Sequence, residues 1–380
     1  MASTQFLEDI TAHLSANAFT RTFSFSSAQL PVCATPAREL ADLVILLEGN
    51  GLILQLSERE AGGTAKAAAL ESWFTHDVLK KGVEKIRNTR ALLRSYAGIS
   101  LVNSGGYRVS YSANALSDQL GVILYRAASV TGFVPPRFRK TNTAGFVHVM
   151  RDRDYLGICE HLVTPSELSD YLRFREGILS RPEPVPANVT EAALLGQYLF
   201  EELDAPPDAR YAIAGRSFRG DPNEWVFSYV LDNLTTQMRK RDEESVEEVY
   251  QPILAELGRL GRPELREFKT QLRLSLEAVR ADRFELPYRM ASGPTGCGFL
   301  ILPGSAEFRL RARATLEGIA QASKYELGLE KQVSLAMWRS GEIIDIDWLY
   351  TEGPNPPDEF LDARLETAYP FRRTSEKSRA

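Results

Sequence analysis

The chain has 380 residues, with 45 Lys and Arg against 50 Asp and Glu, a formal net charge of −5, 44% hydrophobic side chains and 25% charged ones. A composition this close to the globular average excludes extensive disorder, and no apolar run reaches the roughly 18 residues of a membrane span. The acidic balance excludes attraction to nucleic acid by the field of the whole molecule, so any such contact needs a local basic patch. The length exceeds what one core usually holds, and two or three packed units are expected. Three widely separated cysteines, Cys33, Cys159 and Cys297, form neither a disulfide framework nor a metal spacing. The first residues show neither a basic leader nor an apolar signal core, so a reducing cytoplasm is the expected location.

Phe6, Leu7, Ile10 and Leu14 recur at helical spacing, with Glu8 near one flank of their stripe. After the prolines at 31 and 36 come two apolar runs, Leu43 to Leu47 and Leu52 to Leu56, on either side of a glycine- and asparagine-containing turn. This is a hairpin signature. A turn at Asn50 and Gly51 sets Asp42 opposite Arg59, whereas one at Gly49 and Asn50 sets it opposite Ser57. In either register Asp42, Gln55, Ser57 and Arg59 share one face, because side chains alternate with a period of two. A long helix follows, from about Lys66 to Tyr96. Its stretch from Lys80 to Arg94 carries Lys80, Lys81, Lys85, Arg87, Arg90 and Arg94 against Glu84 alone. That stripe is read either as a solvated face or as a basic patch.

Residues 98 to 160 alternate short β-like runs with turns, and the runs Gly121 to Tyr125 and Gly145 to Val149 are expected to extend the hairpin's sheet. Pro135, Pro136, Arg137, Arg139 and Lys140 lie in a basic, proline-led loop suited to a phosphate contact or to plain solvation. Thr164, Pro165 and Glu167 spell a capping box at a helix start. The prolines between 182 and 186 mark a hinge, after which residues 190 to 204 and 222 to 280 read as charged amphipathic helices. Strands at 284–290, 299–302, 332–338 and 343–348, with a helix at 306–327, make a final α/β unit, and the tail from Phe371 is expected to fray.

Glu39, Asp42, Gln55 and Ser57 carry a resemblance. Their arrangement resembles the PD-(D/E)xK, or restriction-endonuclease-like, superfamily, in particular members in bacterial defence and DNA maintenance. These have an early acidic helix, a Glu-Leu-x-Asp-Leu strand and a second strand ending in (E/Q)-x-K. The likeness covers residues 5 to 95. It implies a restriction-endonuclease-like α/β domain at 1–180, beyond which the patterning reads as a helical region at 181–280, a smaller C-terminal α/β unit at 281–370 and a flexible tail at 371–380. It further implies Mg²⁺ or Mn²⁺ held by Glu8, Asp42 and Gln55, with Ser57 at the position of the lysine.

The sequence departs from that pattern twice. Gln55 brings no charge and Ser57 no cation, which leaves Arg59, Lys66, Lys80 or Lys81 as substitutes, of which arginine cannot serve as a base. The resemblance therefore implies a cytoplasmic nuclease-like protein of phage defence, binding DNA more readily than RNA and cleaving it if the site works. The alternative is an inactive scaffold with a protein partner or a second copy of itself. Outside the resemblance, Cys297 beside two glycines is a candidate nucleophile or a small buried residue, Gly293 to Gly298 reads as a turn, and Asp345 with Asp347 as a strand-face pair.

Overall fold

A computed structural model describes residues 6, 10, 17–30, 40–47, 50–59, 67–95, 98–103, 106–112, 119–127, 133–214, 222–240 and 244–372. The chain divides into two compact units, residues 1–219 and 220–380. Both mix helices with a sheet, and no helix among the described residues is long and apolar enough to cross a membrane. The helical stretch expected as a separate region is shared between the units, because its later helices lay their apolar stripes on the second unit's sheet.

In the first unit, helix α1 (Ala18–Phe23) is capped by Asn17, whose Oδ1 accepts the Phe19 N–H at 2.9 Å. Strands β1 (Ser24–Ser26), β2 (Leu43–Leu47) and β3 (Asn50–Arg59) form an antiparallel meander. A continuous helical segment follows, made of α2 (Ala67–Trp73), a π-wound turn at Phe74–Lys80 and α3 (Lys81–Ser95). It leads past a separate ribbon of β4 (Gly98–Val102) and β5 (Arg108–Ser112) to β6 (Gln119–Ala127), β7 (Phe138–Thr141) and β8 (Gly145–Arg151). The main sheet runs β1-β2-β3-β6-β8-β7, with β3, β6 and β8 mutually parallel. The runs at 121–125 and 145–149 thus join the hairpin's sheet, as their sequence suggests.

One face of this sheet is covered by α3. Its buried positions Gly82, Ile86, Thr89 and Leu93 recur every three or four residues, the stripe that seats a helix on a sheet. Glycine is needed at the contact. A Cβ on Gly82 would lie 2.8 Å from the Ile123 side chain, and one on Gly121 would lie 2.8 Å from the Ile86 side chain, so each glycine makes room for an isoleucine of the facing element. On the other face sit α4 (Asp152–Cys159), α5 (Pro165–Leu179) and α6 (Glu191–Leu199), followed by the single turn α7 (Tyr211–Ala214). The capping box at the start of α5 is present: Thr164 Oγ1 accepts the Glu167 N–H at 3.1 Å, and the Glu167 carboxylate turns back to the Thr164 N–H.

The second unit opens with α8 (Pro222–Lys240), α9 (Glu244–Gly258) and α10 (Arg262–Arg280). Strands β9 (Tyr288–Ser292) and β10 (Cys297–Pro303), helix α11 (Ala312–Glu326), strands β11 (Lys331–Ser340) and β12 (Ile343–Glu352), and helix α12 (Glu359–Thr367) complete it. The sheet order is β12-β11-β10-β9, with α11 carrying the chain between the parallel strands β10 and β11. Phe299 meets Phe268 of α10 at 5.6 Å on one face, while Leu300 and Leu302 join Leu316, Ala320 and Leu361 on the other. Strand β9 starts at 288 rather than 284, just after Pro287, which has no N–H to give to a ladder. The fraying expected from Phe371 is corrected. Phe371 is buried beneath Arg289, and Arg372 pairs with Glu285 at 2.6 Å, so an aromatic and an ionic anchor hold the chain here; residues 373–380 lie outside the described residues.

Candidate functional site

Leu47 pairs with Asn50 and Leu43 with Leu54, so the hairpin turns two residues earlier than an Asn50–Gly51 turn and one earlier than a Gly49–Asn50 turn. Both expected registers are therefore replaced by one that carries Asp42 opposite Gln55. The cause lies far away in sequence: Asn50 donates to Ser166 Oγ at 3.2 Å and accepts from Arg173 at 3.1 Å, which draws it into strand β3 beside α5. A shift in steps of two in the pairing sum preserves sidedness, so Asp42, Gln55, Ser57 and Arg59 still share a face.

That face is the one α3 covers. Gln55 and Ser57 are buried. Asp42 sits just before β2, and its Oδ2 accepts two N–H groups, from Leu56 at 2.7 Å and from Gln55 Nε2 at 2.6 Å. Gln55 Nε2 also donates to the Leu56 carbonyl at 2.7 Å, while its Oε1 is buried with no partner. Burial pushes the Asp42 carboxyl up from the usual aspartate range, against the opposing pull of the Leu56 N–H, the Lys85 charge and the Gln55 amide. The neighbouring Ala41 N–H is held by Thr89 Oγ1 at 2.9 Å, tying the strand entrance to the same helix.

The remaining candidates turn elsewhere. Arg59 donates to the Ala69 carbonyl at 2.9 Å and lies over the Trp73 ring, engaged with α2. Lys81 is exposed and pairs with Asp77 at 2.6 Å. Glu8, Glu39 and Lys66 lie outside the described residues. Among the described residues no group of three or more His, Cys, Asp and Glu is placed to hold a metal ion. Among the described residues the hairpin face offers one carboxylate with an oxygen already given to two N–H donors, and one amide carbonyl buried beneath a helix; Glu8, the other expected ligand, lies outside them. A hard cation needs several oxygens and keeps much of its water. Comparison with known families, curated proteins and solved structures returned no match.

The basic stripe of α3 is largely spent on internal contacts. Lys81 pairs with Asp77, Arg87 with Glu84 at 3.3 Å, Arg90 donates to the Ala144 carbonyl, and Lys85 lies close enough to Asp42 to act on it. Lys80 and Arg94 are exposed at opposite ends of the stripe, about 20 Å apart at 1.5 Å per residue.

In the second unit Asp347 pairs with Arg313 at 3.3 Å, and Gly293–Gly296 closes the β9–β10 hairpin. Cys297 is fully buried, its Sγ donates to the Gly298 carbonyl, and burial pushes its thiol up to about 12. A nucleophile needs the thiolate, and none forms here near neutral pH. Iodoacetamide at pH 8 is expected to leave Cys297 unlabelled in the native protein and to label it fully in urea; rapid native labelling, read by peptide mass spectrometry, would restore the nucleophile.

A second polar centre escaped the sequence reading. Arg175 of α5, fully buried, donates to both Glu191 oxygens, at 2.7 and 3.0 Å, and to the Val149 and Arg137 carbonyls. Its Nη1 also lies 3.0 Å from His148 Nδ1, which must accept, so the imidazole carries its proton on Nε2. Burial and the charges of Arg175 and Arg90 hold His148 well below the usual histidine range. The signal that betrays Arg175 is its register. It falls three residues after Leu172, four after Tyr171 and three before Ile178, a charge on an apolar stripe.

Proposed function

We propose that the first unit is a nuclease-like module that acts by binding and does not cleave phosphodiesters. The single observation that carries this reading is the Gln55 amide, whose N–H reaches Asp42 Oδ2 at 2.6 Å. In the family resembled, two acidic groups face a shared cation; here a neutral donor meets the surviving acid directly and takes the cation's place. Burial favours the uncharged Asp42, and Ser57 supplies no positive charge, which points the same way. The order of elements supports the likeness: an acid-bearing hairpin, a helical crossover and a parallel strand in the same sheet. The setting in bacterial phage defence, with assembly onto a protein partner, rests on the resemblance.

Calorimetric titration of Mn²⁺ and Mg²⁺ into the wild type and an Asp42→Asn variant, beside a plasmid nicking assay, tests the proposal. The expected result is no Asp42-dependent heat and no nicking. Metal binding that disappears in the variant together with nicking would establish a working nuclease and overturn the reading. The same residue has a structural signature. Asp42→Ala leaves the Leu56 N–H and the Gln55 amide without their acceptor and is expected to cost about 2 kcal/mol in urea unfolding, whereas Asp42→Asn keeps an acceptor and costs less. Because the fold raises the Asp42 carboxyl, its contribution is present at low pH and is lost as pH rises from the usual aspartate range through the raised value; the Asn variant lacks that fall.

A further inference from the structure

The pairing of the parallel strands β6 and β8 ends at Tyr125 and Arg151, where β8 runs directly into α4. Above these strand ends lies a cavity of about 270 Å³, lined among others by Tyr125, Arg137, Arg151, Arg153, Asp154 and Arg175. It shares no lining residue with the Asp42 and Gln55 site. Crevices outside the carboxyl ends of parallel strands are where open α/β sheets take their ligands.

The charge balance of the cavity is uneven. Arg175 is neutralised by its bidentate partner Glu191, which leaves Arg137, Arg151 and Arg153 against Asp154. Arg151 and Arg153 are exposed, and Arg151 lies close enough to the Tyr125 hydroxyl to act on it. Arg137 is fixed by donating Nη2 to the Val189 carbonyl, and its Nη1 is buried with no acceptor. A guanidinium donor buried without a partner is costly, and an acceptor brought in by a ligand would relieve that cost. Arg151 is also the N-cap of α4 and makes no side-chain cap bond, with Asp152 and Asp154 in the first turn of that helix. The proline-led loop that supplies Arg137 is the one whose sequence suits a phosphate contact.

Three guanidinium groups from separate positions, a tyrosine hydroxyl and a helix start converge on a space larger than a single ion. We propose that this cavity binds a terminal phosphate group together with part of the molecule that bears it. Forked arginine donors match phosphate oxygens in pairs. The phosphate belongs either to a small phosphorylated metabolite or to the 5′ end of a nucleic acid, and Asp154 is the acid that limits affinity.

The test uses the full chain at constant ionic strength. Inorganic phosphate and a nucleoside monophosphate are titrated against wild type, Arg151→Gln, Arg153→Gln and Asp154→Asn, with melting curves in the absence of ligand to confirm that each variant is folded. Saturable binding in the wild type is expected, weakened about tenfold by each glutamine variant and tightened by Asp154→Asn. Opposite effects from neighbouring residues would not arise from a general change in stability. Short single strands with and without a 5′-phosphate separate the two sources: dependence on the 5′-phosphate assigns the nucleic-acid end, and equal behaviour of the two strands assigns the small molecule. No saturable binding of either probe, or binding unchanged in all three variants, overturns the proposal.

Discussion

Glu191→Ala is expected to lower unfolding stability by about 3–5 kcal/mol, because it strands the fully buried Arg175 guanidinium without its carboxylate. The loss would be larger than the pair's net worth. Two ions taken out of water recover their desolvation only through each other and through the Val149 and Arg137 carbonyls that accept from Arg175. Arg175→Met combined with Glu191→Leu removes both charges at similar volume, so the double variant should be more stable than Glu191→Ala alone. Urea midpoints at neutral pH measure this, and equal losses in the two proteins would show that packing, not the unpaired charge, sets the cost.

The same pair predicts a pH dependence. Burial alone would raise Glu191, but the Arg175 guanidinium and the Tyr171 hydroxyl hold it below the usual glutamate range. A depressed carboxylate stabilises above its unfolded value and loses that contribution as pH falls through the folded one. Acid unfolding of the wild type should therefore steepen below the ordinary glutamate range, and Glu191→Gln, less stable at neutral pH, should approach the wild type there.

What was legible in the sequence follows the range of the forces involved. The Asp42, Gln55, Ser57 face was readable because a strand's period of two is local and survives any even shift of register. The turn itself was not, since Asn50 is claimed by Ser166 and Arg173, more than 110 residues away. The cations of α3 were visible as a stripe, and the Lys81–Asp77 pair is local to one helix, but the Ala144 partner of Arg90 and the reach of Lys85 to Asp42 depend on the fold. Phe371 sat in a segment whose polar, basic composition suggests a loose tail, while its place under Arg289 depends on β9. Helix starts such as Thr164 were read correctly because capping is settled within four residues. The Arg175 centre required strand β8, helix α5 and helix α6 to be brought together, and only the misplaced charge on an apolar stripe hinted at it.

Gly196→Ala is expected to cost about 3 kcal/mol, at the upper end of overpacking losses, although alanine is the better helix former. Gly196 lies inside α6, and a Cβ there would stand 2.0 Å from the Tyr211 carbonyl oxygen and 2.8 Å from its carbon. The obstruction is backbone, so no rotamer change relieves it. The loop cannot easily retreat, because Gln197 Nε2 donates to the Glu202 and Ala205 carbonyls at 2.9 and 2.8 Å and Arg181 adds a third tie at Ala205. Helix α6 cannot slide the other way without pulling Glu191 from Arg175. Gly177 of α5 supplies the control: it is exposed, and a Cβ there meets nothing within 4 Å. Gly177→Ala should gain about 0.5–1 kcal/mol through helix propensity and the loss of unfolded-chain freedom. Opposite signs for the same chemical change at two helical glycines would place the cost at the α6–α7 contact; a gain at both would mean that α7 yields, and that the Glu191 arm is held less firmly than its hydrogen bonds imply.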